Sequence, residues 1–293
     1  MTTTGNTTTG NTAAGNTTAG NTTAGSTATG IDRLGEVFTR AKAEDRAALI
    51  GYLPAGYPTV KGSLGLLTQV LDAGADLVEV GLPYSDPVLD GPVVQHAVET
   101  ALRAGVRVRD TLEVVEQLAA RGGRAVVMTY WNPVLRYGVD AFARDLANAG
   151  GLGVITPDLV PDEAAGWLAA ADREGLAPIF LVAPSSTDER IAATTAATRG
   201  FLYAASTMGV TGARDAVSDT ASVLVTRARA HTDLPIGVGL GVRNGAQAGE
   251  VAGFADGVIV GSALVSAAEH GRAAVARLTT ELAAGVRGQH TGR

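Results

Sequence analysis

The sequence predicts an α/β fold in which strands alternate with helices, and three observations lead to this prediction. Short apolar runs recur eight times between Ala47 and Gly261. Segments in which apolar residues have helical spacing, such as Leu64–Leu71, separate these runs. The core must be aliphatic, because 46% of the residues are hydrophobic and only 4% are aromatic. Together these features are typical of a parallel sheet wrapped by helices.

The eight apolar runs are the predicted strands, and their number favours a barrel. In chain order they are Ala47–Leu53, Asp76–Leu82, Ala125–Tyr130, Leu152–Thr156, Ala177–Val182, Phe201–Ala205, Pro235–Gly239 and Gly257–Gly261. Eight such units in about 250 residues are typical of a (β/α)8 barrel, the TIM barrel. A doubly wound sheet would place a Gly-x-Gly-x-x-Gly turn after its first strand. The turn here is Leu53-Pro-Ala-Gly-Tyr-Pro58, so we predict a single TIM-barrel domain over 31–293.

Residues 1–30 differ in composition from the rest of the chain. Glycine occurs at every fifth position from Gly5 to Gly30, and after Met1 the intervening residues are only Thr, Ala, Asn and Ser. A segment without charged or large apolar side chains cannot bury enough surface to offset its ordering entropy. We therefore predict a low-complexity disordered tail over 1–30. It lacks the basic and apolar regions of a secretory signal.

Composition restricts the class of partner and the compartment. The net charge of −6 and the pI of about 5.3 argue against a nucleic-acid or anionic-membrane surface. The absence of cysteine excludes disulfides and thiolate metal sites, which fits a cytoplasmic protein. No apolar run approaches about 18 residues, so no membrane span is expected. The histidines are not in ligand spacing, so no metal site is expected.

The second predicted strand contains a carboxylate among apolar residues. Val78 and Val80 alternate with Leu77, Glu79 and Gly81, as in a parallel strand that is covered on both faces. Burial of a carboxylate costs several kcal/mol unless the group is paired, protonated or used in chemistry. A structural ion pair between Glu79 and an Arg or Lys is the alternative to a functional role.

An unusual loop follows this strand. The second and third strands start 49 residues apart, and we assign the excess length to a loop over Pro83–Val94 that is rich in proline. Extra chain at the carboxyl end of a barrel strand usually serves the active site. Asp86 is assigned to loop structure, and Asp90 could be only a turn residue because Asp-Gly is a common turn pair. With Glu79 beside it, Asp90 is predicted to complete an acid–base pair.

Glycine motifs follow the sixth predicted strand and end the seventh and eighth. The sixth is followed by Gly209-Val-Thr-Gly212, the seventh by Gly239-Leu-Gly241 and the eighth by Gly261-Ser262. Each motif is a weak signal alone, because glycine ends many barrel strands. Their joint position is similar to the usual barrel phosphate site, where small residues let backbone N–H groups approach the phosphate.

These motifs resemble those of the tryptophan synthase alpha subunit family. The signature-like segment is Glu79-Val-Gly-Leu-Pro-Tyr-Ser-Asp-Pro-Val-Leu-Asp-Gly-Pro92, and the similarity extends over essentially all of 31–293. The resemblance implies a TIM barrel that cleaves indole-3-glycerol phosphate to indole and glyceraldehyde 3-phosphate. It implies a beta-subunit partner, expected in an α2β2 heterotetramer. The resemblance implies no cofactor in this chain. Pyridoxal phosphate is expected only in the beta-subunit partner.

The resemblance also implies roles for individual residues. Glu79 matches the general acid–base, Asp90 the carboxylate that faces the indole N–H, and Tyr203 the third residue of the catalytic set. The implied phosphate ligands are Gly212, Gly241, Gly261 and Ser262, and the implied substrate contacts are Tyr52, Tyr130, Asn132 and Leu240. Leu240 departs from the Phe that relatives often have beside the indole, and Thr207-Met208 departs from an Arg in some relatives. Tyr130 and Tyr203 could instead simply fill the barrel.

Three alternatives remain open from the residues. A stand-alone indole-3-glycerol-phosphate lyase would share every motif and would not need a beta subunit. Another phosphate-sugar aldolase or isomerase would usually need a strand Lys or His, and no predicted strand contains either. A binding protein without catalytic activity would have no use for the Glu79–Asp90 pair.

Overall fold

The computed structural model describes residues 28–205 and 214–288. Nearly all of the predicted tail, 1–27, lies outside these ranges, as does 289–293. Most of the predicted loop after the sixth strand is also outside them, including Thr207-Met208 and Gly212. The predictions of a disordered tail and of a phosphate ligand at Gly212 therefore concern residues outside the described ranges.

Nine parallel strands in the described part of the chain form one sheet, and the sheet closes into the predicted barrel. They are β1 Ala48–Pro54, β2 Leu77–Gly81, β3 Ala125–Met128, β4 Gly153–Ile155, β5 Ala177–Ile179, β6 Leu181–Val182, β7 Leu202–Ala205, β8 Ile236–Gly239 and β9 Gly257–Val260. Their hydrogen-bonded order is β5-β4-β3-β2-β1-β9-β8-β7-β6. Because only Phe180 separates β5 from β6, these two form the fifth barrel strand and join the ends of the sheet.

Helices connect the strands and cover the outside of the barrel. In the described ranges they are α1 Gly30–Ala43, α2 Val60–Asp72, α3 Pro92–Arg103, α4 Val108–Ala119, α5 Trp131–Tyr137, α6 Val139–Asn148, α7 Ala165–Glu174, α8 Asp188–Ala197, α9 Arg214–Arg229, α10 Gly245–Ala252, α11 Ser262–Glu269 and α12 Arg272–Val286. Side chains on alternate strand positions face the helices or the barrel interior. Val78 and Val80 pack in the core between the strands and the helices, which we call the outer core. Leu77 packs in the core inside the barrel, which we call the inner core.

Helix α1 closes the N-terminal end of the barrel. Its apolar residues Leu34, Val37 and Phe38 recur at helical spacing and are buried in the inner core. The Phe38 ring lies 5.3 Å from the ring of Phe201, which immediately precedes β7. The opposite end, where the parallel strands finish, is not covered by α1. We call that end the barrel mouth.

The globular domain begins before the predicted boundary at residue 31. The Thr29 hydroxyl accepts a hydrogen bond from the Asp32 N–H at 3.2 Å, and the Asp32 carboxylate accepts one from the Thr29 N–H at 2.9 Å. This capping box begins α1 at Gly30. Gly30 therefore belongs to the first helix and Thr29 caps it, although the composition of both residues continues the repeat.

The excess chain after β2 was wrongly assigned to a loop alone. A loop runs from Leu82 to Gly91, and the additional helix α3 begins at Pro92. Proline is favoured in the first turn of a helix because its missing N–H has no partner there in any case. The helix buries Ala97, Val98 and Ala101.

Candidate active site

Glu79 lies inside the barrel as a buried carboxyl group without a partner. Its side chain is 0% exposed, and neither carboxylate oxygen has a hydrogen-bond partner within the described residues. Within the described residues, no Arg or Lys forms an ion pair with Glu79. The alternative in which Glu79 belongs to a structural ion pair therefore has no cation in this part of the chain. Burial raises the pKa of Glu79 from 4.5 to about 8, because the charged form loses its hydration. The group is therefore largely protonated at neutral pH.

Two tyrosines share this environment with Glu79. Tyr52 on β1 is the register neighbour of Glu79 on β2. Burial raises the pKa of Tyr52, and the nearby charges of Asp90 and Glu79 raise it further. Burial likewise raises the pKa of Tyr203, followed by the charge of Glu79. Tyr52 therefore lies within electrostatic reach of Glu79, Asp90 and Tyr203, and Tyr203 also lies within reach of Glu79.

Strand glycines make room for both tyrosine rings. A Cβ atom at Gly81 would lie 2.5 Å from the Tyr52 hydroxyl oxygen, and one at Gly239 would lie 2.6 Å from the Tyr203 hydroxyl oxygen. Both distances are too short for any side chain at those positions. Gly81 on β2 and Gly239 on β8 therefore leave the space that the two tyrosine hydroxyl groups occupy.

Tyr130 holds the loop that carries Asp90. Its hydroxyl donates a hydrogen bond to the Asp90 carboxylate at 3.0 Å and accepts bonds from the N–H groups of Val88 at 3.2 Å and Leu89 at 3.0 Å. Burial raises the pKa of Asp90, and the bond from Tyr130 opposes this shift. Gln95 on α3 also binds the loop, donating to the Asp90 carbonyl oxygen at 2.8 Å. Sequence reasoning missed Gln95, since no spacing rule links it to the loop.

Two of the glycines predicted to hold phosphate, Gly241 and Gly261, lie in loops of the mouth within the described ranges. Gly241 has φ of +68°, and a Cβ atom there would have no neighbour within 4 Å. Gly261 directly precedes α11, which begins at Ser262 without a side-chain cap. The first N–H groups of a helix suit an anion. Helix α10 begins only at Gly245 and is capped by the Asn244 side chain, so the β8 loop presents no helix start at Gly241.

Comparison with known proteins identifies the family. The family model described as tryptophan synthase alpha chain matches residues 38–290. The chain belongs to this family. It is 66% identical over 255 residues to the tryptophan synthase alpha chain of Mycobacterium marinum, covering 87% of this chain and 95% of the relative. The alpha chain of Nocardia farcinica has the same identity, with 87% of this chain and 96% of the relative covered.

Solved structures of the family have the same fold. A structure of Mycobacterium tuberculosis tryptophan synthase matches with a TM-score of 0.84 and 63% identity, over 89% of this chain and 99% of that one. The tryptophan synthase alpha subunit of Legionella pneumophila str. Paris matches with a TM-score of 0.80 and 31% identity, over 87% and 98% of the two chains. Membership of the tryptophan synthase alpha chain family gives the chain its role, that of an alpha subunit, a lyase of tryptophan biosynthesis.

Other residues predicted from the family resemblance lie at the rim of the mouth. Asn132 is exposed, and its side-chain amide donates a hydrogen bond to the Tyr84 hydroxyl at 3.3 Å. The Tyr84 ring lies 5.4 Å from the Tyr130 ring. Leu240 is half-buried against the outer core. In the described ranges, no group of three or more His, Cys, Asp or Glu could hold a metal ion, and no helix is long and apolar enough to cross a membrane.

Replacement of Tyr130 by Phe should loosen the Asp90 loop while keeping the packing of the ring. The change removes one bond to a carboxylate and leaves the N–H groups of Val88 and Leu89 without their acceptor. We expect activity to fall about tenfold or more, because a hydrogen bond to a charged group contributes about 1.5–3 kcal/mol. Steady-state kinetics of Tyr130→Phe would measure this. Tyr137→Phe, which removes a hydroxyl bound to Asp145 outside the mouth, is the control, and an equal loss in both variants would contradict the prediction.

Glu79→Gln should stabilise the fold increasingly as pH rises. In the unfolded chain the Glu79 carboxyl titrates near 4.5, and in the folded chain near 8. Between these values only the unfolded chain has released the proton, so the wild type loses stability with rising pH. Glutamine does not titrate. The two proteins should have similar free energies of unfolding below pH 4.5 and differ most above pH 8, by at most about 5 kcal/mol. Urea unfolding from pH 4 to 9 measures the difference, and a value independent of pH would disprove the pKa shift.

Proposed function

We propose that the chain cleaves indole-3-glycerol phosphate to indole and glyceraldehyde 3-phosphate in the cytoplasm. The observation that carries this proposal is Glu79, a fully buried carboxyl group without a hydrogen-bond partner in the described residues and with a pKa of about 8. Such a group is an effective proton donor and acceptor near neutral pH. Tyr52 and Tyr203 lie within its electrostatic reach, and Tyr52 also lies within that of Asp90.

The proposed reaction is a retro-aldol cleavage, and Glu79 serves it twice. Protonated Glu79 first donates its proton to C3 of the indole, which places a positive charge on the ring. The resulting carboxylate then accepts the proton of the glycerol hydroxyl next to the reacting bond. As that oxygen forms the aldehyde carbonyl, the carbon–carbon bond breaks and its electron pair restores the aromatic ring. Glu79 gives up one proton and recovers one, and the electron pairs rearrange within the substrate, so the steps require no cofactor from this chain.

Asp90 is proposed to stabilise the charge that develops on the indole nitrogen. An ionised carboxylate facing the N–H opposes the positive charge formed when C3 is protonated. The Tyr130 hydroxyl occupies one Asp90 oxygen at 3.0 Å, which leaves the other available to the substrate. The proposed division of roles is therefore a protonated Glu79 and an ionised Asp90. Two carboxyl groups in one site can take different protonation states when their environments differ.

The phosphate is proposed to bind opposite these carboxyl groups, at the glycine loops of the mouth. Backbone N–H groups of Gly241, Gly261 and Ser262, with Gly212 from the loop outside the described ranges, would surround it. Gly241 is exposed, and no side chain caps α11. Tyr52, Asn132 and Leu240 are proposed to contact the remainder of the substrate, with Tyr203 in the catalytic set.

We further propose that a beta subunit binds across the mouth, in an α2β2 heterotetramer. Exposed apolar side chains follow three consecutive barrel strands at this end. Val88 and Leu89, after β2, are 72% and 40% exposed; Leu135, on α5, is 54% exposed; and Val160, after β4, is 37% exposed. Several exposed apolar side chains at one end of the barrel suit a protein interface. Since Val88 and Leu89 also bind Tyr130, a partner pressing on them would act directly on the Asp90 loop.

The test measures indole release from indole-3-glycerol phosphate while a beta subunit is titrated. We expect a slow reaction without the partner and a faster one with it. A partner that presses on the loop after β2 would favour a conformation in which this loop closes over the mouth and aligns Asp90. Val88→Asp should weaken this activation, whereas Val223→Asp on α9, where the valine is 58% exposed, should not. Full activity without any response to the partner would instead identify a stand-alone lyase, and no indole under either condition would reject the proposal.

A further inference from the structure

A second cavity, of about 430 Å³, opens at the N-terminal end of the barrel. Its lining includes Asp76 and Arg124, which directly precede β2 and β3, and Arg46, which lies two residues before β1. Because the strands are parallel, this cavity lies at the end opposite the mouth. Five arginines line it, namely Arg40, Arg46, Arg121, Arg124 and Arg287, whereas only three carboxylates do. This excess of cations occurs in a chain with a net charge of −6.

Two of the arginines and two of the carboxylates neutralise one another. Arg46 and Asp76 are each 3% exposed and form a bidentate ion pair at 2.7 and 2.8 Å. Arg40 adds a bond to Asp76 at 2.9 Å, and Glu44 accepts a bond from the Arg46 Nε at 2.6 Å. This network fixes the wall of the cavity, and its charges are balanced within it.

Two other arginines have no such partner. In the ranges that the structure describes, neither Arg121 nor Arg287 has a carboxylate within 4.0 Å. Arg121 donates a bond to the Thr68 hydroxyl at 3.3 Å, and Arg287 donates to the carbonyl oxygens of Ala283 at 2.8 Å and Gly74 at 3.4 Å. Their two positive charges are therefore not balanced by an ion pair.

Arg124 contributes an unused donor. Its Nη2 lies 3.3 Å from the exposed Glu36 carboxylate, while its Nε is buried and has no hydrogen-bond partner in the described ranges. Buried N–H donors are rarely left unpaired in native structures. Asp72, the third carboxylate of the lining, is exposed, so it does not occupy this donor within a buried ion pair.

We propose that this cavity binds a small phosphorylated molecule, with Arg121, Arg124 and Arg287 as its ligands. A phosphate monoester carries about 1.5 to 2 negative charges at neutral pH, which matches the two unbalanced guanidinium groups. Guanidinium groups bind phosphate oxygens in bidentate geometry. The cavity volume falls within the range of small-molecule sites, about 300–1,000 Å³, and exceeds what a phosphate group alone requires. This site is independent of the proposed reaction at the mouth.

The test is a titration of the full chain with inorganic phosphate, followed by amide NMR. The Gly122 and Gly123 amides line the second cavity, whereas the Gly261 and Ser262 amides report on the mouth. We expect saturable shifts at Gly122 and Gly123 that sodium chloride of equal ionic strength does not produce. Arg121→Gln should weaken phosphate binding at this end about tenfold or more and leave the response of the mouth unchanged.

Two further variants separate binding from folding. Arg124→Gln should also weaken phosphate binding, and Arg109→Gln is the matched control because the Arg109 side chain is 82% exposed outside the cavity. If the arginines serve only to stabilise helix ends, the variants will lower the melting temperature without changing the phosphate titration. That result, or the absence of saturable shifts at Gly122 and Gly123, would overturn the proposal.

Discussion

Glu79→Gln is expected to lower the rate of indole release by about 10²–10⁴-fold, the contribution of general acid–base catalysis. Glutamine preserves the size of the side chain and can still accept a hydrogen bond, but it cannot donate a proton to C3 and recover one from the glycerol hydroxyl. The Glu79 oxygens have no hydrogen-bond partner in the described residues, so the substitution breaks no structural bond. The loss should therefore appear in the catalytic rate, with the fold intact.

The comparison with Asp90→Asn tests the division of roles. Asparagine can still face the indole N–H through its carbonyl oxygen, so its loss should be smaller than that of Glu79→Gln. Asp86→Asn is the matched control, because Asp86 is exposed and accepts a hydrogen bond from Ser85 within the same loop. Single-turnover rates of the three variants measure the order. If Asp90→Asn is the most damaging, the two carboxyl groups have the opposite roles.

Gly261→Val is expected to weaken binding of the substrate phosphate by about 10- to 100-fold. Blocking the close approach of backbone N–H groups to an anion removes bonds that contribute about 1.5–3 kcal/mol each. A Cβ atom at Gly261 would meet Tyr52 at 3.5 Å, an ordinary contact, and φ at Gly261 is −112°. The backbone therefore accepts a side chain without the strain of a left-handed conformation.

Gly241→Val is a less specific test of the same site. Its φ of +68° is unfavourable for a β-branched residue, so valine there should also destabilise the loop. Calorimetry of Gly261→Val with glycerol phosphate, and with an indole that lacks phosphate, separates the two halves of the substrate. Unaltered affinity for glycerol phosphate, or an equal loss for both ligands, would rule out a phosphate site at Gly261.

The positions of the strands could be predicted because the signal is local. Aliphatic runs of the right length form buried parallel strands wherever they occur, and every predicted strand agrees with the structure within two residues. The fifth run is divided at Phe180, but its two parts still complete the barrel. Glu79 could be identified by the same logic, since a carboxylate in an aliphatic strand conflicts with burial.

Two boundaries could also have been predicted from local chemistry but were obscured by composition. Thr29 and Asp32 form a capping box, yet Thr29 continues the repeat of the tail. Gly91 and Pro92 mark the start of α3, yet a loop rich in proline surrounds them. In both cases a short helix-start signal lies within a segment whose average composition indicates the absence of structure.

The sequence by itself determined the barrel, its strand positions, the family and the unusual carboxylate, because each depends on spacing along the chain or on a continuous motif. Only the tertiary structure decided which side chains meet. Tyr130 binds Asp90 across 40 positions, and the second cavity combines Arg40 of the first helix with Arg287, which directly follows the last helix. No spacing rule predicts such contacts, because the closed barrel brings together residues that are distant in the chain. The pKa of about 8 at Glu79 has the same origin, since it depends on all the strands that exclude water from the interior.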